Sequence, residues 1–449
     1  MDLKLKQLYG ETRPTWDTKA SLAMKIVKKI WTQPKQQSIQ RSNSSLTLPT
    51  FGVNIRKVYL QVRTDLINFK ELKDKELNQK IKADWIVPKN LPNGTKRERV
   101  LVYFHGGGYC FGSRKVHRPL AVTLLKSLEG TKLIIPDYGL APEEPFPIGL
   151  LHCLSTYLNL INPVDTSAPY HPDDIFIVGD SAGAGLALSC MLWLRDNTNF
   201  PQPKGYIVMS PWIDQTVSHP SFILNRSFDY ITGSVGNEET VRDQTWLNDE
   251  RSMYYATHDS LLTYPLVSPV FAKNRLSDSV KLPPILLQSG DCELLRDEII
   301  TFFCKTLPNA PIRYENYADS VHDFQFIPFQ RLSKTALHSC LNFIQDVLND
   351  TFIPRKSYFV EKPKGKSAIF KEFLNPYEIV LEGQRVIASL TEEGILDLWN
   401  AMKPKIKKGL IGELEEDLKE AENDASFSFD GEKFNKSEIL LNSNDSGMF

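Results

Sequence analysis

The chain has 449 residues, a formal net charge of −1 and an ordinary globular composition, with 41% hydrophobic and 24% charged residues. The near-neutral charge and the lack of a basic block exclude nucleic acid as an expected partner. No apolar stretch reaches membrane-spanning length, and the N-terminus MDLKLKQLYGETRPTW lacks the apolar core of a signal peptide. We therefore expect a cytoplasmic protein, or one on the cytoplasmic face of a membrane.

The first 50 residues are polar and contain one amphipathic segment, residues 20–31. Its apolar residues fall on one helical face, and three lysines, Lys25, Lys28 and Lys29, fall on the other. Two interpretations stay open. The segment either contacts a membrane surface peripherally, or packs over the core as part of a lid.

From residue 53 the pattern changes to short apolar runs typical of strands, separated by helical stretches. The predicted strands are 53–62, 85–87, 100–104, 132–136, 175–178, 206–209, 284–290 and 312–317. The predicted helices are 120–128, 148–160, 184–195 and 333–348. This alternation predicts an α/β protein with a mostly parallel central sheet and helices on both faces.

Three regions follow from this pattern. Residues 1–95 form an N-terminal cap or lid segment with an opening β-meander, and residues 96–350 form the core. Residues 212–265, polar and aromatic, are predicted to be a cap insertion above the strand ends, where ligands bind in open α/β sheets. Residues 351–449 form a C-terminal extension that is acidic and predicted to be disordered at its end.

The six cysteines are scattered and form no C-x-x-C pair, which favours buried free thiols over a disulfide framework or a zinc site. They are Cys110, Cys153, Cys190, Cys292, Cys304 and Cys340. The sequence indicates neither a metal site nor a cofactor.

One pentapeptide, Gly179-Asp180-Ser181-Ala182-Gly183, lies between the predicted strand 175–178 and a helical run. Strand, G-x-S-x-G and helix together are the context of a nucleophile elbow, in which small residues allow a sharp turn. The alternative is a glycine-rich turn with a solvent-facing serine. The pattern favours Ser181 as a nucleophile.

A second motif, His105-Gly106-Gly107-Gly108, ends the predicted strand 100–104. An acyl-transfer site needs preorganised N–H donors for the oxyanion that develops, and consecutive glycines let backbone N–H groups turn inward. The predicted oxyanion-hole donors are the N–H groups of Gly107, Gly108 and Ala182.

A serine hydroxyl is a weak nucleophile unless a base takes its proton near neutral pH, so the site needs a histidine. Among eight histidines, His322 stands in a loop directly after the last predicted core strand and has acidic partners at another strand end. It is the predicted base. Of the others, His105 is expected to order the glycine loop, His117, His171, His219 and His258 to lie at the surface, and His152 and His338 to lie in helices as core residues.

The acid of a triad holds the imidazole tautomer and stabilises the imidazolium. Three carboxylates after the strand 284–290 compete for this role: Asp291, Glu293 and Asp297.

Taken together, the motifs resemble the hormone-sensitive-lipase branch of the α/β-hydrolase superfamily, with similarity to fungal steryl acetyl hydrolases. The resemblance covers residues 95–350, and its motifs are HGGGY at 105–109, DYGLAPE at 137–143, GDSAGAG at 179–185, SPWID at 210–214, ELLRDE at 293–298 and VHDF at 321–324. It implies the α/β-hydrolase fold.

The family usually carries its acid as the first residue of a D-P-L-R-D string. Aligning Leu295-Arg296-Asp297 with that string places Glu293 in the acid position. Glu293 is therefore the predicted catalytic acid, with Asp291 as the alternative acid and Asp297 as a structural ion-pair partner. Two further positions depart from the family pattern: Gly139 stands where arginine is usual, and Ala184 where a second glycine is usual.

The expected function is therefore that of a serine carboxylic ester hydrolase acting on apolar esters with short or medium acyl chains, with steryl acetates among the candidates. A small-molecule receptor on the same fold and an amide-cleaving deacetylase are the alternatives. A secreted adhesion-type pseudo-hydrolase is disfavoured, because neither a signal peptide nor a disulfide pattern is evident. For an enzyme that acts on apolar esters, the expected places of peripheral attachment are the surfaces of the endoplasmic reticulum and of the lipid droplet.

Overall fold

The computed structural model of the chain describes residues 13, 49–72, 77, 79–89, 98–126, 128, 130–197, 199–225, 228–231, 255–275, 281–327 and 330–389, with the backbone of 427–429 and 432–434. The amphipathic segment 20–31 and much of the predicted cap insertion and acidic tail lie outside these residues. None of the helices within the described ranges combines the length and apolar character needed to cross a bilayer.

The described residues form one ten-stranded sheet and a separate two-stranded pair. In chain order the strands are β1 (Val53–Gln61), β2 (Lys80–Pro88), β3 (Arg99–Phe104), β4 (Thr131–Pro136), β5 (Ile175–Asp180), β6 (Gly205–Met209), β7 (Ile285–Gly290), β8 (Ile312–Tyr317), β9 (Ser357–Glu361), β10 (Ile369–Glu372), β11 (Phe427–Phe429) and β12 (Glu432–Phe434). The order across the large sheet is β1-β2-β4-β3-β5-β6-β7-β8-β9-β10.

The seven strands from β4 to β9 in this order are parallel, whereas β1, β2 and β10 pair antiparallel with their neighbours. The helices are α1 (Arg114–Lys126), α2 (Ile148–Ile161), α3 (Ser181–Asp196), α4 (Ser221–Leu224), α5 (Arg296–Thr301, continued by a π-helical turn to Thr306), α6 (Ser333–Leu348) and α7 (Tyr377–Ser389). The predicted α/β class and mostly parallel sheet are confirmed.

The central strands are apolar along their whole length because both faces of the sheet are covered. On β3, Val100 and Val102 belong to the core under α2 and α3, while Leu101 and Tyr103 belong to the core under α1 and α6. This two-residue alternation divides the interior into two layers. The carboxyl ends of the parallel strands share one edge, and the loops that leave this edge carry the residues singled out by the sequence.

The observed elements differ from the predicted ones at several boundaries. Helix α1 begins at Arg114 rather than at residue 120, because Asp137 accepts a hydrogen bond from the Arg114 N–H at 3.0 Å and so satisfies the helix start from a distant loop. Strand β2 is longer than 85–87 because it pairs with β1 along its whole length, from Val53 with Pro88 to Gln61 with Lys80.

The sheet also continues beyond residue 350, the predicted end of the core. Strand β9 pairs parallel with β8, placing Ser357 opposite Tyr314, and β10 pairs antiparallel with β9. Residues 357–372 therefore belong to the central sheet rather than to a separate extension. The six cysteines are free thiols, and all but the half-buried Cys304 are buried, as predicted.

Candidate active site

Ser181 is the first residue of α3 and directly follows β5. Its φ of +49° lies in the left-handed region, which a residue with a side chain adopts only when the surrounding structure enforces it. The strand therefore turns into the helix within one residue. The predicted elbow geometry is present.

Two glycines of the pentapeptide are required by close packing. A Cβ atom on Gly183 would lie 2.2 Å from the Phe104 carbonyl oxygen at the end of β3, and one on Gly179 would lie 2.6 Å from the Gly183 carbonyl carbon. Any side chain at either position would push α3 away from the sheet. Because neither glycine has a side chain, α3 packs closely against the sheet, and Ser181 lies against the loop that follows β3.

The structure brings Ser181 together with His322, which is 141 residues away in sequence. The His322 Nε2 atom lies 2.9 Å from Ser181 Oγ, and both side chains are buried. His322 follows β8, and Ser181 follows β5. A base in hydrogen-bonding contact with a hydroxyl is the arrangement that nucleophilic catalysis requires.

Glu293 lies on the opposite side of the imidazole, in the loop after β7. Its Oε2 atom is 3.9 Å from His322 Nδ1 and accepts a hydrogen bond from Ser210 Oγ at 2.6 Å. Complete burial raises the pKa of Glu293 to about 8, against the opposing effects of the charge on His322 and the hydrogen bond from Ser210. The ionised carboxylate thus depends on a positive imidazolium beside it.

Asp291, the alternative acid, makes other contacts. Its carboxylate forms ion pairs with Arg13 at 2.8 Å and with Arg296 at 3.6 Å. Arg13 also pairs with Asp319 at 2.8 Å, so it connects the loop after β7 with the loop after β8. Asp297 pairs with Arg296 at 2.8 Å, in keeping with its predicted role. Of the three carboxylates, Glu293 is the one within ion-pair distance of His322.

The loop of three glycines lies directly against the elbow. A Cβ atom on Gly106 would be 3.0 Å from Ser181 Cβ and 2.2 Å from Asp180 Oδ2. Gly107 and Gly108 have φ values of +130° and +58°, so their peptide groups take orientations that few residues with side chains adopt. The predicted donors therefore come from a loop and a helix start that are packed beside Ser181.

Asp180 fixes that loop, a function not assigned to it from the sequence. Its carboxylate accepts hydrogen bonds from Tyr103 OH at 2.6 Å and from the Gly106 N–H at 2.9 Å. Because Tyr103 is 77 residues from Asp180, no local pattern marks this contact. The signal that the sequence does carry is the position of Asp180 directly before Ser181.

The remaining histidines divide differently from the prediction. His105 orders the glycine loop as expected, with Nδ1 at 2.9 Å from the Gly106 carbonyl oxygen, but His117 stacks on it and lies 3.5 Å from Asp180. His219 is held by Asp214 at 2.7 Å. The prediction of a surface position is wrong for His117 and His219, because acidic partners bring both inward, and holds for the exposed His171 and His258.

His152 is a buried residue that accepts a hydrogen bond from the Gly139 N–H at 3.0 Å, whereas His338 is exposed on α6 and is not a core residue. The Gly139 position is crowded. A Cβ atom there would lie 2.8 Å from Ile148 and 2.9 Å from Glu144, so this chain has no room for the arginine usual in the family.

Stacked aromatic residues pack near the first turn of α3, which begins at Ser181. The rings of Tyr109 and Tyr255 are 3.9 Å apart and nearly parallel, and Tyr109 OH donates to the Trp212 carbonyl oxygen at 2.8 Å. A Cβ atom on Gly185 would collide with this hydroxyl at 2.2 Å. Tyr109 directly follows the glycine loop, so this aromatic group abuts the candidate oxyanion site.

The family described as alpha/beta hydrolase fold matches residues 101–326, half of the chain. An esterase from Acinetobacter venetianus is 31% identical over 228 residues, covering 51% of this chain and 68% of the relative. The chain belongs to the alpha/beta-hydrolase family. An acetyl-hydrolase from Streptomyces hygroscopicus is 29% identical over 241 residues, covering 54% of this chain and 71% of the relative.

Solved structures agree on the fold. An esterase/lipase from an uncultured bacterium superposes with a TM-score of 0.59 at 23% identity, covering 74% of this chain and all of that one. An esterase of the bacterial hormone-sensitive lipase family superposes with a TM-score of 0.51 at 23% identity, covering 78% of this chain and 99% of the other. The predicted family and fold are confirmed, as is the enzyme class, a carboxylic ester hydrolase.

Proposed function

We propose that this alpha/beta hydrolase cleaves apolar carboxylic esters with short or medium acyl chains through Ser181, His322 and Glu293. One observation carries the proposal: Ser181 Oγ, at a strained elbow, lies 2.9 Å from His322 Nε2. Strain of this kind persists where the surrounding structure enforces it, and here it presents a hydroxyl to a base.

In the first half of the reaction, Ser181 Oγ attacks the carbonyl carbon of the ester while its proton passes to His322 Nε2. The C–O bond to the alcohol then breaks, and the proton on Nε2 goes to the departing alkoxide. Glu293 faces Nδ1, where a carboxylate stabilises the positive imidazolium that forms between these two transfers. The product is an acyl-enzyme on Ser181 and a free alcohol.

The negative charge of the tetrahedral intermediate requires donors that are already in place. We assign this function to the N–H groups of Gly107, Gly108 and Ala182. The positive φ values of the two glycines and the start of α3 at Ser181 support the assignment. In the second half of the reaction a water molecule attacks the acyl carbon while His322 Nε2 takes its proton. The bond between the acyl carbon and Ser181 Oγ then breaks, the proton on Nε2 returns to Oγ, and the carboxylic acid product is released.

The acyl preference rests on the aromatic group beside the glycine loop. Tyr109, Tyr255 and Trp212 are each at least nine-tenths buried and fill the space next to that loop, which favours a small acyl group. A bulky apolar alcohol, such as a sterol, would then have to extend towards the other side of Ser181. Steryl acetates fit this division of the substrate.

A receptor function would not need the contact between Ser181 and His322, so the intact pair favours an enzyme. The same residues could cleave an amide, because Ser181 attacks the acyl carbon in both reactions. The two leaving groups, an alcohol and an amine, differ in basicity. A matched pair of aryl acetate and aryl acetamide substrates separates an esterase from an amide-cleaving deacetylase.

The test replaces Ser181 with alanine and measures hydrolysis of p-nitrophenyl acetate. Ser189→Ala is the matched control, because Ser189 is a second buried serine on α3 whose hydroxyl donates to the Gly185 carbonyl oxygen. We expect Ser181→Ala to lower kcat by about 10³-fold or more and Ser189→Ala to leave it within a few-fold. Activity of Ser181→Ala within about tenfold of the wild type would refute the assignment.

A further inference from the structure

The His322 Nε2 atom faces two oxygen atoms rather than one. Ser181 Oγ lies 2.9 Å away, and the Asp323 Oδ2 atom lies 3.2 Å away. An imidazole nitrogen carries either one N–H or one lone pair, so it cannot donate to Asp323 and accept from Ser181 at the same time. The two contacts therefore belong to different protonation states of the Nε2 atom.

The backbone holds Asp323 in this position. Its φ of +47° places it in the left-handed region, and its N–H donates to Ser210 Oγ at 3.2 Å. The same Ser210 hydroxyl donates to Glu293 Oε2 at 2.6 Å. One serine thus links the backbone of Asp323 to the carboxylate of Glu293, and the carboxylates of these two residues flank the imidazole on its Nε2 and Nδ1 sides. Asp323 is only 8% exposed, so water screens its charge weakly.

Other groups face this pair from the surrounding elements. On the His322 side, the carboxylate of Asp229 accepts a hydrogen bond from the backbone N–H of His322 at 3.4 Å, and the ring centre of Tyr230 is 6.2 Å from that of the imidazole. On the Asp323 side, the charges of Asp180 at the end of β5 and of His117 on α1 act on its carboxylate, with opposite effects. Tyr103 on β3 is held neutral by its burial and by Asp180.

We propose that Asp323 is a positioning residue that pairs with His322 Nε2 and holds the imidazole in its protonated form, thereby setting the pH above which Ser181 is activated. The inference rests on the proposed role of His322 as the base. Neutral His322 accepts the proton of Ser181, whereas protonated His322 donates to Asp323 and cannot act as a base.

The charges around His322 favour its protonated form, as the proposal requires. Burial alone would lower the pKa of His322, but the carboxylates of Asp323, Glu293 and Asp229 outweigh it and raise the pKa to about 9. Burial raises the pKa of Asp323 to about 6, against the attraction of His322, so Asp323 is still ionised at neutral pH. Because the active form is the neutral imidazole, kcat/KM should rise with pH through the pKa of His322.

Asp323→Asn tests the proposal, since asparagine tolerates the left-handed backbone and removes only the charge. Without the carboxylate, the midpoint of the acid limb of kcat/KM against pH should fall by about one pH unit or more. The control is Asp350→Asn, an exposed aspartate with a left-handed backbone of its own, φ +56°, which should leave the midpoint in place. If Asp323→Asn fails to fold, Asp323→Gly removes the same charge.

A second readout is independent of turnover. NMR titration of the His322 ring in the Ser181→Ala protein, with and without Asp323→Asn, reports the pKa directly. A fall of about one unit supports the proposal even if Ser181 proves not to be the nucleophile. An unmoved midpoint in both measurements overturns it, and so does a lower kcat/KM at every pH with the midpoint unchanged, which is the result of a purely structural role.

Discussion

At the residue scale, the three proposed catalytic groups differ in how clearly the sequence marks them. Ser181 and His322 each have a local signature, a glycine-flanked turn and a loop after a strand, and the structure places them 2.9 Å apart. The proposed acid has no such signature, because three carboxylates lie within seven residues after β7. Only the three-dimensional contacts separate Glu293, which faces His322, from Asp291, which is engaged by Arg13 and Arg296.

Glu293→Gln should lower kcat for a small ester by about 10²-fold or more, because the amide cannot stabilise the imidazolium as a carboxylate does. Asp291→Asn is the matched control and should cost less than about tenfold. Both variants are compared by kcat on p-nitrophenyl acetate, with folding checked by circular dichroism. The reverse ranking would transfer the role of the acid to Asp291.

At the element scale, the packing of α3 against β3 determines where Ser181 stands. The need for small residues at the glycines of the pentapeptide could be predicted from the sequence for this reason. In the structure, a Cβ atom on Gly183 would lie 2.2 Å from the carbonyl oxygen of Phe104 and 2.5 Å from that of His105. The start of α1 could not be predicted, because Asp137 satisfies the Arg114 N–H across 23 residues. Contacts of this kind leave no periodic pattern in the sequence.

Gly183→Ala should therefore destabilise the protein and displace Ser181, since the new methyl group meets backbone atoms that cannot move independently. We expect a loss of about 3 kcal/mol or more, seen as a lower Tm together with a fall in kcat. Gly365→Ala serves as the comparison: its φ of +73° strains an alanine, but a Cβ there meets nothing within 4 Å. Equal effects of the two substitutions would argue against tight packing at the elbow.

At the scale of the whole molecule, the sheet is larger than the motifs suggested. The family-like motifs end near residue 324, and the basic stretch after residue 354 carries few apolar runs. Strand β10 is exposed along its length, so no buried alternation marked it as part of the sheet. Val360 of β9, in contrast, is fully buried, which ties residues 357–361 to the core.

Two truncated variants test the contribution of the last sheet strands and that of the acidic tail separately. Ending the chain at residue 410 removes a polar, acidic segment and should leave kcat/KM for p-nitrophenyl acetate within a few-fold of the wild type. Ending it at residue 354 removes β9 and exposes the edge of β8, so the Tm should fall sharply or the protein should aggregate. A large loss of kcat/KM in the longer variant would show that the tail contributes to the site.

The role of the amphipathic segment 20–31, as a membrane contact or a lid, stays a prediction because the segment lies outside the described residues. Replacing Ile26 and Ile30 with glutamate should lower hydrolysis of steryl or long-chain esters in vesicles while sparing p-nitrophenyl acetate in solution. A large fall in Tm would instead identify the segment as part of the core. Equal losses on both substrates in a folded protein would indicate a lid that shapes the acyl pocket.

Covalent capture with a p-nitrophenyl alkylphosphonate identifies the nucleophile itself. The reagent releases p-nitrophenolate and leaves a phosphonyl group on an activated serine, which intact-mass measurement and peptide mapping then locate. One adduct per chain, on Ser181, is expected in the wild type, with none in Ser181→Ala and formation at least about 10²-fold slower in His322→Ala. An adduct on another residue, or undiminished labelling of Ser181→Ala, would contradict the assignment of Ser181 as the nucleophile.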